Sequence, residues 1–74
     1  MKGIITPASW DSDGNVVDIS LQTTDENEFI IEKSQSEREL RLHMNAMVEV
    51  KGKTRKRIDG KQSLTVKEFR LTEP

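Results

Sequence analysis

Met47-Val48-Glu49-Val50-Lys51-Gly52 and Ser63-Leu64-Thr65-Val66-Lys67-Glu68-Phe69-Arg70-Leu71 read as the two arms of one β-hairpin that runs from Met47 to Thr72. In the first arm Val48 and Val50 alternate with polar residues, the period-2 pattern of a half-buried strand, and Gly52 continues their face. A glycine inside a strand marks a bulge, a bend or the close approach of another backbone. Asp59-Gly60 is a favoured central pair for a two-residue hairpin turn. The second arm carries a conflict: Leu64 and Val66 share one parity, Phe69 and Leu71 the other. A regular strand cannot bury both pairs. A β-bulge near Lys67-Glu68 resolves the conflict and turns the strand as at the corner of a closed sheet. Val48, Val50, Leu64, Val66, Phe69 and Leu71 are therefore expected in the core.

Upstream, Lys2 to Thr6 is a short strand candidate with β-branched Ile4, Ile5 and Thr6, and Pro7 ends it or marks an edge. Ala8 to Asn15 reads as a turn region, with Asp11-Ser12-Asp13-Gly14-Asn15 rich in residues that bond their own backbone. From Val16 to Thr23 the inner face is Val17, Ile19 and Leu21, the outer face Asp18, Ser20 and Gln22, and Val16 falls outside the pattern. Thr24-Asp25-Glu26-Asn27 is a hairpin connection to a third strand over Glu28 to Lys33, with Phe29 and Ile31 inside. Ser34 to Met44 changes character. Ser36 with Glu39 fits the capping-box spacing, as does Ser34 with Glu37, and a helix near Ser36 to Met44 is predicted. Asn45 can take the left-handed conformation that closes it. Glu73 and Pro74 are expected to fray.

The chain has 74 residues, with 32% hydrophobic and 34% charged. This length predicts one domain, over residues 1–74, with a thin core. Without cysteine there is no disulfide and no thiolate metal site. The N-terminus has no signal-like apolar run and no segment reaches transmembrane length, so a cytoplasmic location with no membrane partner is the expectation. The sequence leaves open whether the chain is part of a longer protein. Residues 1–50 hold ten acids and four bases, a balance of −6, whereas residues 51–74 hold eight bases and three acids, a balance of +5. That asymmetry can polarise a surface although the net charge is only −1.

The order strand, strand, strand, short helix, strand, strand matches the five-stranded Greek-key barrel of the OB-fold. The chain resembles small prokaryotic OB-fold domains at Asp13-Gly14-Asn15, at Leu40 in the helix, at Val48-Glu49-Val50-Lys51-Gly52, and at Asp59-Gly60 before Leu64-Thr65-Val66. Asn45 stands where such domains often place a glycine. The resemblance implies a mainly β fold, a five-stranded barrel with one short helix between strands three and four. It also implies a ligand-binding module, with the hairpin between strands four and five flanking a groove floored by strands two and three. An SH3-like barrel is the competing fold.

Lys51, Lys53, Arg55, Lys56 and Arg57 lie within seven residues and Lys61 follows just past the turn. Such a cluster can neutralise phosphates. The alternative is a solvated hairpin kept soluble by its charges. Single-strand binders stack bases on exposed aromatics, yet the aromatics here are Trp10, Phe29 and Phe69 alone. The phenylalanines follow core parity. Trp10 is the one stacking candidate, although economy of apolar side chains favours its folding over a barrel end. The expected floor of Asp18, Ser20, Gln22, Glu28, Ile30 and Glu32 is acidic and repels a phosphate backbone. Asp11, Asp13 and Asn15 alternate as in a calcium loop, but the twelfth position is Gln22, where a glutamate is required. His43 is the only histidine, so no metal, cofactor or catalytic set is expected. The sequence thus predicts a non-catalytic module binding single-stranded DNA or RNA weakly through Lys51, Lys53, Arg55, Lys56, Arg57, Lys61 and Trp10. The alternative is an accessory domain that docks a protein partner or a second copy of itself.

Overall fold

A computed structural model describes residues 1–72; the expected frayed end at Glu73 and Pro74 lies outside the described residues. The elements are β1 (Lys2–Trp10), β2 (Val16–Thr23), β3 (Glu28–Ile31), α1 (Gln35–Leu40), a 3-10 turn (Arg41–His43), β4 (Met47–Lys56) and β5 (Gln62–Leu71). The five strands form one closed ring in the order β1-β2-β3-β5-β4, with β4 returning to β1. Every pairing is antiparallel except β3 with β5. The short helix lies between β3 and β4 in sequence and packs against β5. Ile5, Ile19, Leu21, Phe29, Ile31, Leu40, Val48, Val50, Leu64 and Val66 fill the interior.

The expected bulge is present. Lys51 pairs with Glu68 and Gly52 with Val66, so Lys67 is the additional residue on β5. Cross-strand partners share a face. Val50 opposite Phe69 therefore turns Phe69 towards the interior, while Leu64 and Val66 face inward on the other side of the bulge. Phe69 is half-buried against the core rather than enclosed. Leu71 departs from expectation. It pairs with buried Val48 and shares its face, but it is 51% exposed because it lies at the end of the sheet, beyond the neighbours that would cover it.

Gly52 sits at the same corner. A Cβ there would lie 2.0 Å from the Thr65 carbonyl oxygen, a distance no side chain accepts.

β1 is longer than its composition predicts and runs through Pro7 to Trp10. Both backbone groups of Ile5 bond towards the Asn45–Ala46 side. Alternation turns the Pro7 nitrogen to that same side, where β1 pairing with β4 has already ended at Ile4. The missing N–H therefore breaks no ladder. Register shifts flank Ser9, so the last residues of β1 pair irregularly with β2. On β2, Val16 packs against the core although it lies outside the alternation.

The helix is shorter than predicted and starts earlier. Ser34 is its N-cap, its Oγ accepting from the Glu37 amide at 3.2 Å, which selects Ser34 with Glu37 over Ser36 with Glu39. The predicted stretch to Met44 instead tightens into the 3-10 turn, and Asn45 closes it with φ of 65°.

All three hairpin connections use one geometry. In each, the first residue donates its N–H to the carbonyl of the fifth and accepts from the amide of the fourth: Asp11 with Asn15 and Gly14, Thr23 with Asn27 and Glu26, Arg57 with Lys61 and Gly60. The last of these corrects the two-residue turn expected at Asp59-Gly60. The loop is Ile58-Asp59-Gly60, with Gly60 in the left-handed region. The fourth residue has positive φ in all three loops, and in the middle one it is Glu26, at 69°. A side chain there carries strain that glycine avoids.

Two stability changes follow from this geometry. Gly52→Ala is expected to lower unfolding stability by roughly 2–3 kcal/mol, since the β4–β5 backbones must part. Glu26→Gly is expected to raise it by about 0.5 kcal/mol, the left-handed relief exceeding the entropy cost of glycine. Urea denaturation checks both; an unchanged midpoint for Gly52→Ala rules out the close backbone contact.

Candidate functional site

The β4–β5 hairpin extends beyond the core. From Lys51 to Gln62 every residue is exposed. Its cations nevertheless differ in their surroundings. Lys51 faces Glu68 at 3.5 Å across the hairpin. Arg55 reaches over the sheet to Glu32, with 3.8 Å between Nη2 and Oε1, too long for a hydrogen bond but a direct electrostatic contact. Arg57 is close enough for its charge to hold down the pKa of Asp18. Among the described residues, Lys53, Lys56, Arg57 and Lys61 form no close ion pair. Of the six expected basic site residues, two thus face a carboxylate of the chain, one acts on the acidic face, and three lysines stand without a close acid among the described residues.

The face beneath the hairpin is less open than expected. Ser20 is fully buried although it alternates outward between Ile19 and Leu21. Its Oγ shares a 2.9 Å hydrogen bond with Thr6 Oγ1 and donates to Glu28 Oε2 at 2.9 Å. Gln22 Nε2 donates to the same carboxylate oxygen at 3.3 Å. Ser63, paired with Ile30 across β3–β5, is also buried. These bonds satisfy the centre of the floor internally, while Glu32 Oε1 at its edge is buried without a hydrogen-bond partner. A shallow cleft of about 280 Å³ lies between Ala8, Glu28, Ile30 and the Gly60-Lys61-Gln62 end of the hairpin.

A second polar network anchors the other part of this face. Ser9 Oγ donates to Asp18 Oδ2 at 2.8 Å, and Lys33 Nζ lies 3.1 Å from Asp18 Oδ1. Lys33 also donates to the Val17 carbonyl and, at 3.2 Å, to Glu37 Oε2. Glu37 is fully buried on α1 and receives Arg41 Nε at 2.7 Å and Nη2 at 3.1 Å. The Ser9 hydroxyl is the main reason the Asp18 carboxyl is held below the ordinary aspartate range, with Lys33 and then Arg57 adding to it. Glu37 also keeps Arg41 more firmly protonated than usual. The chain of contacts runs from β1 through β2 to the helix. It gives the isolated charges on the acidic face fixed partners.

Trp10 is 57% exposed, which corrects the expectation that it would be folded into the core. It pairs with Val16 at the end of β1, where the sheet has no second layer to cover it. Its neighbour Ser9 bonds Asp18, whose carboxyl also feels the charge of Arg57 from the loop end of the hairpin. Sequence reading overlooked Ile58. It is fully exposed at the hairpin apex. The available signal was an isoleucine within a turn, a place normally taken by polar or small residues.

Among the described residues no three His, Cys, Asp or Glu side chains gather into a metal-binding group, and no helix is long and apolar enough to cross a membrane. No family model, curated protein or solved structure matches this chain.

The Asp18–Lys33–Glu37–Arg41 network generates a pH and mutational prediction. The pKa of Asp18 is lower folded than unfolded, so its contribution is complete above the unfolded value near about pH 4 and is lost as pH falls through the folded value. Asp18→Asn is expected to lose stability at neutral pH and to show a shallower fall on acidification. Glu37→Gln leaves two cations without their buried carboxylate; because Lys33 and Arg41 can partly rehydrate, a loss of about 2 kcal/mol is expected. Urea unfolding as a function of pH checks both. An acid dependence unchanged in Asp18→Asn removes Asp18 from the account.

Proposed function

We propose that this chain is a non-catalytic binding module of OB-fold type that holds single-stranded nucleic acid weakly on its β4–β5 hairpin. The strand order β1-β2-β3-β5-β4, the return of β4 to β1 and the helix between β3 and β4 support the Greek-key OB-fold reading. The observation that carries the ligand class is the set Lys53, Lys56 and Lys61, exposed on a projecting hairpin and without ion-pair partners among the described residues. Cations so placed can exchange counterions for phosphates at little desolvation cost. Arg55 and Arg57 stand between that surface and the acidic face. They cancel part of the field of Glu32 and Asp18 that would otherwise repel a phosphate strand. Exposed Trp10 offers a π-face near the end of β1 for an unpaired base.

Few aromatics and few free cations make the binding weak and salt-sensitive. Three phosphate contacts correspond to a log–log salt slope of roughly −2 for single strands. This favours a module that adds affinity to another binding element over one that acts as a tight sequence-independent coat.

Fluorescence anisotropy with a labelled single-stranded oligonucleotide at low salt tests the proposal. The triple variant Lys53→Glu, Lys56→Glu, Lys61→Glu is expected to lose at least about tenfold in affinity and most of the salt slope. Glu32→Gln is expected to tighten binding by a few-fold, because it removes an acid that repels phosphate and frees Arg55. Absence of binding by the native chain at high protein concentration, or indifference to the triple substitution, overturns the reading.

A further inference from the structure

We infer that Ile58 is an apolar wedge that enters between neighbouring bases of the bound strand, an inference that rests on the nucleic-acid reading and assigns that site its contact to the bases. Ile58 is fully exposed at the apex of the three-residue loop. Single exposed apolar residues are common on proteins and by themselves signify little. The setting of Ile58 differs in three respects.

The loop is held rigidly. Arg57 donates its amide to the Lys61 carbonyl at 2.6 Å, and the Gly60 amide donates to the Arg57 carbonyl at 3.0 Å. The β-branched side chain adds stiffness at its first torsion. The apex is therefore a fixed projection.

The one acid of the apex stays exposed but is tied to the loop backbone. Asp59 Oδ1 accepts from the Lys61 amide at 3.0 Å, so the carboxylate is engaged with the loop's own backbone. The remaining side chains around the tip are cationic: Lys56, Arg57 and Lys61, all exposed. An apolar point ringed by cations is complementary to stacked bases flanked by phosphates. Proteins that unstack base steps use isoleucine and similar side chains in this way.

The choice of occupant follows from size. One isoleucine, followed by Asp59 and Gly60, presents too little apolar surface to hold a lipid bilayer. A single base step needs only one side chain. The wedge also supplies a base contact to a chain poor in aromatics, where phosphate neutralisation alone would give no grip on the bases.

The test uses the full chain and a short single-stranded oligodeoxyadenylate carrying one 2-aminopurine, whose emission rises when its neighbours unstack. The native chain is expected to brighten the probe. Ile58→Ser is expected to abolish most of the brightening and weaken binding by roughly fivefold, while the salt slope stays unchanged because no charge is removed. Ile58→Val is expected to retain both signals. Circular dichroism of the variants confirms the fold. Equal brightening and affinity for Ile58→Ser overturn the wedge and leave the hairpin lysines as binding groups. No binding of the oligonucleotide by the native chain overturns the wedge together with the reading beneath it. In that event, Ile58-dependent binding to phosphatidylcholine–phosphatidylserine vesicles reassigns the tip to an anionic lipid surface.

Discussion

The close contact between Gly52 and the Thr65 carbonyl, with the additional residue Lys67 beside it, governs the course of β4 and β5. At this corner two strands must bend together while keeping their hydrogen bonds. Removing a Cβ from one strand lets the backbones approach, and adding a residue to the other reverses which side of it faces inward. Leu64 and Val66 thus pack in one segment and Phe69 in the next. The same corner carries the hairpin out past the core, and that projection exposes its cations.

A chain this small has little apolar material for a core, and its remaining surface depends on internal pairing. The outward side of β2 and β3 is rich in acids. Lys33 and Arg41 enclose Glu37, Arg55 meets Glu32, and the Thr6–Ser20–Glu28 bonds close the centre of the sheet. These contacts draw the hairpin and the helix towards the same face. They also divide the basic run into residues engaged at home and residues available to a partner, a distinction that charge counting along the chain does not make. The functional proposal rests on that division, with the apolar apex as its extension.

Alternation and turn chemistry made much of this legible in advance. Val48 and Val50, Ile19 and Leu21, Phe29 and Ile31 are buried as their spacing requires. The parity conflict in β5 located the bulge, and Asn45 took the left-handed conformation expected of it. These features depend on residues within one strand or one turn, where side-chain direction follows from the backbone period. Pro7, Trp10, Ser20 and Leu71 behaved otherwise. Pro7 lies in a strand because its nitrogen faces a side that has no partner. Ser20 is enclosed by neighbours from β1 and β3. Leu71 has the right parity but lies past the cover of the core, and Trp10 ends a strand that nothing overlies.

The sequence by itself determined the mainly β character, the run of strands with one short helix, the bulge on β5 and the basic hairpin. Period and local hydrogen-bonding preference suffice for each of these. Closure of the strands was expected only through the resemblance to a barrel family, whereas the choice of Ser34 over Ser36 as cap, the internal bonds of the acidic face and the exposure of Trp10 and Ile58 came only with tertiary structure. Each depends on which distant side chains arrive at a position, and that information is not contained in the spacing of any one segment.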